Sequence, residues 1–181
     1  MAALEKLSKN GLIDLFYGDE THICSEGYVP YGWQFPDEKV AILVEKGHKL
    51  NCFGLISRTN EFHWATTEQN IDSCFVKEFL DNLSFNIKKE TFLVLDNASI
   101  HKAKIIQEAI PYWQKRGLYI LYLPPYSPEL NLAETVWRKM KTQWIDPEDY
   151  LEKDSLFYAI NRFLANLGKN VKIDFSEFNL N

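Results

Sequence analysis

The sequence predicts an α/β fold, and three observations predict it. Residues 92–95 form an apolar run without alternation, the pattern of a strand buried on both faces, which stops at Asp96 just before a segment of helical spacing. Upstream, Ile71, Phe75, Val76, Phe79, Leu80 and Leu83 line one helical face. Such a crossover lets the strand of Asp96 lie parallel to an earlier strand. After the next helix, residues 118–123 (LYILYL) form another short buried strand. With 181 residues, 46% of them hydrophobic, the chain can close one sizeable core, so a single domain over residues 1–181 is expected.

Composition narrows the partners. The net charge of -5 argues against gripping nucleic acid through global basicity, so any such contact rests on local charge. Divalent cations at a carboxylate cluster would make an acidic chain locally positive. Cysteines at 24, 52 and 74 are odd in number and lack C-x-x-C spacing, which speaks against a disulfide framework or zinc site and for a reducing, cytoplasmic location. No run has the length of a transmembrane helix, no membrane association is expected, and the first ten residues lack a signal peptide's apolar core.

In chain order, residues 11–21 alternate as a first strand, with Asp19 on the face of Ile13, Leu15 and Tyr17. A carboxylate there is costly unless paired, hydrogen-bonded or metal-bound, or else Gly18 bends the chain and Asp19 stands in solvent. Residues 23–37, punctuated by Gly and Pro among Tyr28, Tyr31, Trp33 and Phe35, read as an aromatic loop that either stacks bases or covers a small core. His22 and Cys24 lack a second ligand pair and read as structural. Runs at 39–43, 49–57 and 61–66, the last two joined by a turn at Arg58-Thr59-Asn60, extend the first strand into a meander.

Asp96 either opens a turn with Asn97 or marks a site, since open α/β sheets build sites where strands end. Ser99 is the expected N-cap of a helix to about residue 110, with Pro111 forcing a kink or fresh start and one more turn over 112–116. Residues 124–128 (PPYSP) are a rigid extended connector that fixes where the next helix begins. That helix covers 131–144, with Leu132, Ala133, Val136, Trp137, Met140 and Trp144 as its apolar face and Glu134 just past its edge. Glu134 can complete a capping box with Asn131 and pair with Arg138, or it can bind metal while Arg138 and Lys141 face phosphate. A last amphipathic helix spans 153–167 and stops at Gly168, and the residues beyond it look poorly anchored.

Strand order can bring Asp19 and Asp96 side by side, with the helix of Glu134 packed across that edge. Three such carboxylates are stable together only with cations between them. Oxygen ligands select Mg²⁺ or Mn²⁺, and two ions about 4 Å apart can clamp the attacking and leaving oxygens of a phosphoryl displacement.

The segments GDET at 18–21, LDNASIH at 95–101 and LPPYSPELNLAE at 123–134 resemble the catalytic domain of DDE transposases, in the bacterial insertion-sequence branch of the mariner superfamily. The resemblance covers roughly residues 11–145, and Asp96 and Glu134 stand 38 positions apart, close to the family's spacing. It implies a ribonuclease H-like mixed five-stranded sheet flanked by helices, with a helical extension over residues 146–181. It implies that Asp19, Asp96 and Glu134 hold two Mg²⁺ (or Mn²⁺) ions for cleavage of DNA at transposon ends and 3′-hydroxyl strand transfer into target DNA. Asn97 and His101 match D-N-x-x-x-H and are expected to orient the Asp96 loop or approach the scissile phosphate, although His101 can equally bond its own helical turn.

Arg138, Lys141 and Lys102 are the expected DNA contacts, and a homodimer on DNA is the expected assembly. Asn131 is followed by Leu132 where the family usually has Pro, which is expected to loosen the placement of Glu134. Only eighteen residues precede Asp19, so the helix-turn-helix domain that recognises transposon ends is expected to be absent, or separately encoded. Two other readings stand beside this one. A ribonuclease H-like nuclease or resolvase would add a fourth carboxylate, from Glu129, Asp146 or Glu148, and a catalytically silent remnant would act as a DNA-associated module.

Overall fold

The computed structural model describes residues 1–25, 47–125 and 127–175. The short run at 39–43, the aromatic loop beyond residue 25 and Tyr126 of the proline-rich connector lie outside these residues. Five strands form one mixed sheet: β1 (Asp14–Cys24), β2 (Lys49–Ser57), β3 (Phe62–Thr67), β4 (Thr91–Leu95) and β5 (Leu118–Tyr122), in the order β3-β2-β1-β4-β5. β1, β2 and β3 pair antiparallel, whereas β4 and β5 continue the sheet in parallel. The helical crossover supplies the change of sense: α2 (Ser73–Ser84), capped by Asp72, carries the chain from β3 back to the start of β4.

Period-two alternation in β1 divides the core into two layers. Leu15 and Tyr17 face α4 (Leu132–Lys139) and α5 (Lys153–Asn166), packing with Val136, Trp137, Leu156, Ile160 and Phe163. Phe16 on the opposite face packs with Phe53, Leu93 and Leu95 against Val76 and Leu80 of α2 and Ile106 and Trp113 of α3 (Lys104–Lys115). Each fully buried Leu, Ile or Phe contributes roughly 1.5–3 kcal/mol, whereas a surface pair such as Lys153–Glu68 contributes about 1 kcal/mol or less. The apolar layers therefore hold the helices on the sheet.

Several local features differ from the sequence reading. The N-terminal residues form a helix, α1 (Ala2–Lys9), with no buried side chain of its own; Glu5 docks it by accepting from the buried Tyr17 hydroxyl and from Arg58. The chain after β4 does not enter a helix at Ser99. It makes a 3₁₀ turn (Ser99–Lys102), is extended at Ala103, and only then begins α3. Ala98, not Ser99, stands at the capping position of that turn, no side chain caps it, and the Asp96 carboxylate just ahead of it accepts from the Ala98 N–H. α3 then runs through Pro111, because the proline is exposed and the carbonyl it leaves without a donor belongs to exposed Gln107, where water can serve it.

The helix of Glu134 widens into a π-helical turn (Met140–Trp144) instead of continuing as α-helix to Trp144. The tail is anchored further than expected. Asn60, at a positive φ of 69° in the β2–β3 turn, holds the Ile173 backbone with both ends of its amide, at 3.0 and 2.7 Å. Gly168 makes this closure possible, since a Cβ there would stand 2.2 Å from the Asn60 carbonyl oxygen.

Candidate active site at the ends of the parallel strands

The β1–β4 register matches Tyr17 with Val94, and continuing it two residues sets Asp19 level with Asp96. Asp96 leaves the carboxyl end of β4 just as the chain turns away, where parallel sheets open a crevice. Asp19 is still within β1, paired with Gly54 of β2, and is only 9% exposed. It lies on the α4 side of the sheet by alternation from Tyr17.

Gly54 sets how closely α4 approaches that side. A Cβ on Gly54 would stand 2.8 Å from the Trp137 ring and 2.9 Å from Phe62, so its absence lets the indole approach the strand closely. A second tie is Asn131. Its side-chain oxygen accepts from the Ala133 N–H, capping α4, while its amide donates to the Gly18 carbonyl at 3.0 Å, one residue before Asp19. The loosening expected from Leu132 in place of proline is thus offset by a buried bond between the helix start and β1.

Glu134, in the first turn of α4, is exposed. Neither of its structural roles forms: Asn131 caps through Ala133 without a reciprocal bond from Glu134, and no Glu134–Arg138 ion pair occurs among the described residues. Glu134 and Asp96 instead line one cleft of about 420 Å³, together with Asn97, Leu123, Pro124, Pro125 and Asn131.

Charge ties Asp19 to the other two. Burial, followed by the charges of Glu20, Glu134 and Asp96, pushes the Asp19 carboxyl up to about 8. The three carboxylates are therefore electrostatic neighbours, although among the described residues no three acidic, His or Cys side chains close into a ready-made cage. An oxygen-only donor set, one member of which resists ionisation because it is buried among other carboxylates, fits a hard divalent cation.

Asp96 is held from behind by His101. The ring is fully buried; its Nδ1 lies 2.7 Å from Asp96 Oδ1, and Nε2 lies 3.3 Å from Glu20 Oε2, close enough for an ion pair but poorly aligned for a hydrogen bond. Burial alone would lower the imidazole pKa, but Asp96, through its hydrogen bond and charge, and Glu20, through its proximity and charge, outweigh it and raise it to about 9. Reciprocally, the bond from His101 is the main reason the Asp96 carboxyl sits below the usual range. His101 thus bonds the carboxylate that opens its own loop, and Tyr122 fixes the same loop by donating to the His101 carbonyl.

Glu20 escaped the sequence reading. The only available signal was its place beside Asp19 on the opposite face of β1, and its partner lies 81 positions away. The alternative fourth carboxylates do not line the cleft: Glu129, Asp146 and Glu148 are exposed, and Asp146 belongs to a local capping box with Asp149.

The expected cations differ in placement. Lys141, in the π-helical turn, is half-buried; burial lowers its pKa against the opposing pull of Cys52, Glu134, Cys24 and Asp19. Arg138 is exposed on α4, and Lys102 stands 5.0 Å from the Tyr122 ring centroid beside the Asp96 turn. Asn97 is exposed at the cleft.

Residues 14–156 match the family described as DDE superfamily endonuclease. No curated protein matches the chain in sequence. Among solved structures, a Mos1 transposase paired-end complex with left transposon end is similar at a TM-score of 0.60 and 15% identity, covering 91% of this chain and 52% of that one. The catalytic domain of Mos1 mariner transposase gives 0.54 and 14%, over 91% and 76% of the two chains. The catalytic core domain of BIV integrase gives 0.52 and 15%, over 87% and 85%. These likenesses show the fold, the ribonuclease H-like mixed sheet flanked by helices. The chain spans about half the length of the first Mos1 chains it matches.

Proposed function

The chain belongs to the DDE superfamily endonuclease family, and on that premise we propose that it is a transposase catalytic domain, cutting DNA at transposon ends and joining the freed 3′-hydroxyl to target DNA. The observation that carries this reading is the parallel register of β1 and β4, which continued by two residues sets Asp19 level with Asp96, with Glu134, which makes no ion pair among the described residues, on the same cleft as Asp96. Asp19, Asp96 and Glu134 are the residues that would hold two Mg²⁺ or Mn²⁺ ions. When bound, such ions offset the carboxylates' repulsion and act as Lewis acids toward a phosphodiester.

The chain's own residues supply position and charge. Asn131 and Trp137 seat α4 and with it Glu134, while His101 and the Ala98 N–H engage one oxygen of Asp96. Lys141, half-buried beside the acidic residues, and the exposed Arg138 and Lys102 are assigned to DNA phosphates, where point charges and guanidinium forks bind without reading sequence. Pairing two DNA ends would call for a homodimer, and a DNA-recognition domain distinct from this sheet would supply end specificity.

The test is nicking of supercoiled plasmid by the purified chain. Cleavage that needs Mg²⁺ or Mn²⁺, stops with EDTA and is lost in Asp96→Ala supports the reading; equal behaviour of wild type and variant in a folded protein removes it in favour of a silent module. Preference for RNA–DNA hybrids or branched DNA over linear duplex would transfer the same site to a nuclease or resolvase.

A further inference from the structure

Behind the carboxylate cluster lies a buried bridge that the three acidic residues do not account for. His101 is the only fully buried histidine among the described residues, and both of its ring nitrogens face carboxylate oxygens: Asp96 Oδ1 at 2.7 Å and Glu20 Oε2 at 3.3 Å. Only a ring protonated on both nitrogens satisfies two acceptors at once. Glu20 Oε2 is itself buried and has no hydrogen-bond partner among the described residues, so the imidazole is its nearest compensation.

The consequence falls on Asp96. Both of its hydrogen bonds among the described residues, from His101 and from the Ala98 N–H at 3.0 Å, converge on Oδ1. Oδ2 is the oxygen left for the cleft that Asp96 lines with Glu134. Alternation makes this arrangement available: Asp19 and Glu20 are adjacent, so Asp19 faces α4 while Glu20 faces the opposite layer, where the His101 ring packs near Phe53.

We propose that Glu20 is a positioning residue which, through the buried His101 ring, fixes Asp96 with Oδ1 held by the protein and Oδ2 presented to a divalent cation. The inference rests on the metal-dependent reading of the site. Glu20 touches neither substrate nor ion; it holds the ring whose other nitrogen holds the ligand, as outer-shell partners of metal ligands do. Adjacent residues of one strand thus serve the same centre from opposite faces of the sheet.

Calorimetric Mn²⁺ titration without DNA, combined with proton NMR of the metal-free protein, tests this on wild type, Glu20→Ala, Glu20→Gln and Asp96→Asn. Glu20→Ala is expected to weaken Mn²⁺ binding by about 10–100-fold and to speed solvent exchange of the His101 Nδ1 proton. Glu20→Gln keeps the shape and an oxygen within reach of Nε2–H but removes the charge of the ion pair, so it is expected to recover part of both signals and guards against a variant that merely misfolds. Mn²⁺ affinity and Nδ1 exchange in folded Glu20→Ala equal to wild type overturn the proposal while leaving the nuclease reading intact. Absence of Mn²⁺ binding to wild type at millimolar concentration overturns both.

Discussion

Asp19 and Asp96 stand level on adjacent parallel strands, one buried within β1 and the other just past the end of β4. Seventy-seven positions of sequence separate them, and the crossover through α2 removes that distance. If the pair works as one centre, Asp19→Ala and Asp96→Ala each abolish metal-dependent plasmid nicking, by at least about 10³-fold on the scale of losing a catalytic group, with the circular dichroism spectrum preserved. Retention of more than a tenth of wild-type nicking by either folded variant would separate that residue from the chemistry.

Asp19 also carries a stability cost. Its folded pKa of about 8 exceeds the ordinary 3.8, so the folded state binds more protons than the unfolded chain between these values, and metal-free stability falls as pH rises through that window. Asp19→Asn removes the charge and keeps the shape. It is expected to raise the metal-free melting temperature at pH 8 by about 2–8 °C, corresponding to roughly 1–3 kcal/mol. Addition of Mn²⁺ should raise the wild-type melting temperature and leave Asp19→Asn nearly unmoved, both read by scanning calorimetry.

His101 contributes in the same direction at higher pH. Its folded pKa of about 9 lies above the ordinary 6.5, so the stabilisation is complete below pH 6.5 and is lost as pH rises through about 9. Between pH 6.5 and 9.5 the wild-type melting temperature is expected to drop, and in His101→Gln the drop across that interval should shrink. Parallel curves for the two proteins would show that the imidazole is neutral in the fold.

The seating of α4 can be tested away from any acidic residue. Gly54→Ala drives a methyl into Trp137 and Phe62, and overpacking of this kind costs about 1–3 kcal/mol. Asn131→Ala removes the α4 cap and leaves the Gly18 carbonyl without its donor, a loss of about 1–2 kcal/mol. Because α4 carries Glu134, both variants should lower nicking more than their melting temperatures alone explain. Full activity at a temperature where each remains folded would show that the helix position is not limiting.

These residues also mark how far the sequence was legible. β4 and β5 follow from uninterrupted apolar runs and β2 from a largely apolar one, and Asp96 was conspicuous because a carboxylate ends such a run. α1 left no mark because it fully buries no side chain of its own, docking through Glu5 and a partly buried Leu4. Ser99 is a sound N-cap by type, but Ala98 takes the capping position, and the chain there is tied instead to Asp96, whose carboxylate accepts from the Ala98 N–H and bonds His101. Pro111 would break a buried helix, and only its exposure, which is a tertiary property, lets α3 continue. Glu20, Gly54 and Asn60 act through partners 81, 83 and 113 positions away, so no local pattern could assign them.

The most direct test of the central claim is a crystal grown with Mn²⁺ and measured at the manganese edge. Anomalous density between Asp19, Asp96 and Glu134, with Asp96 Oδ2 as a ligand, is the predicted result. A well-ordered cleft with no anomalous peak at saturating Mn²⁺, the carboxylates remaining apart, would contradict it.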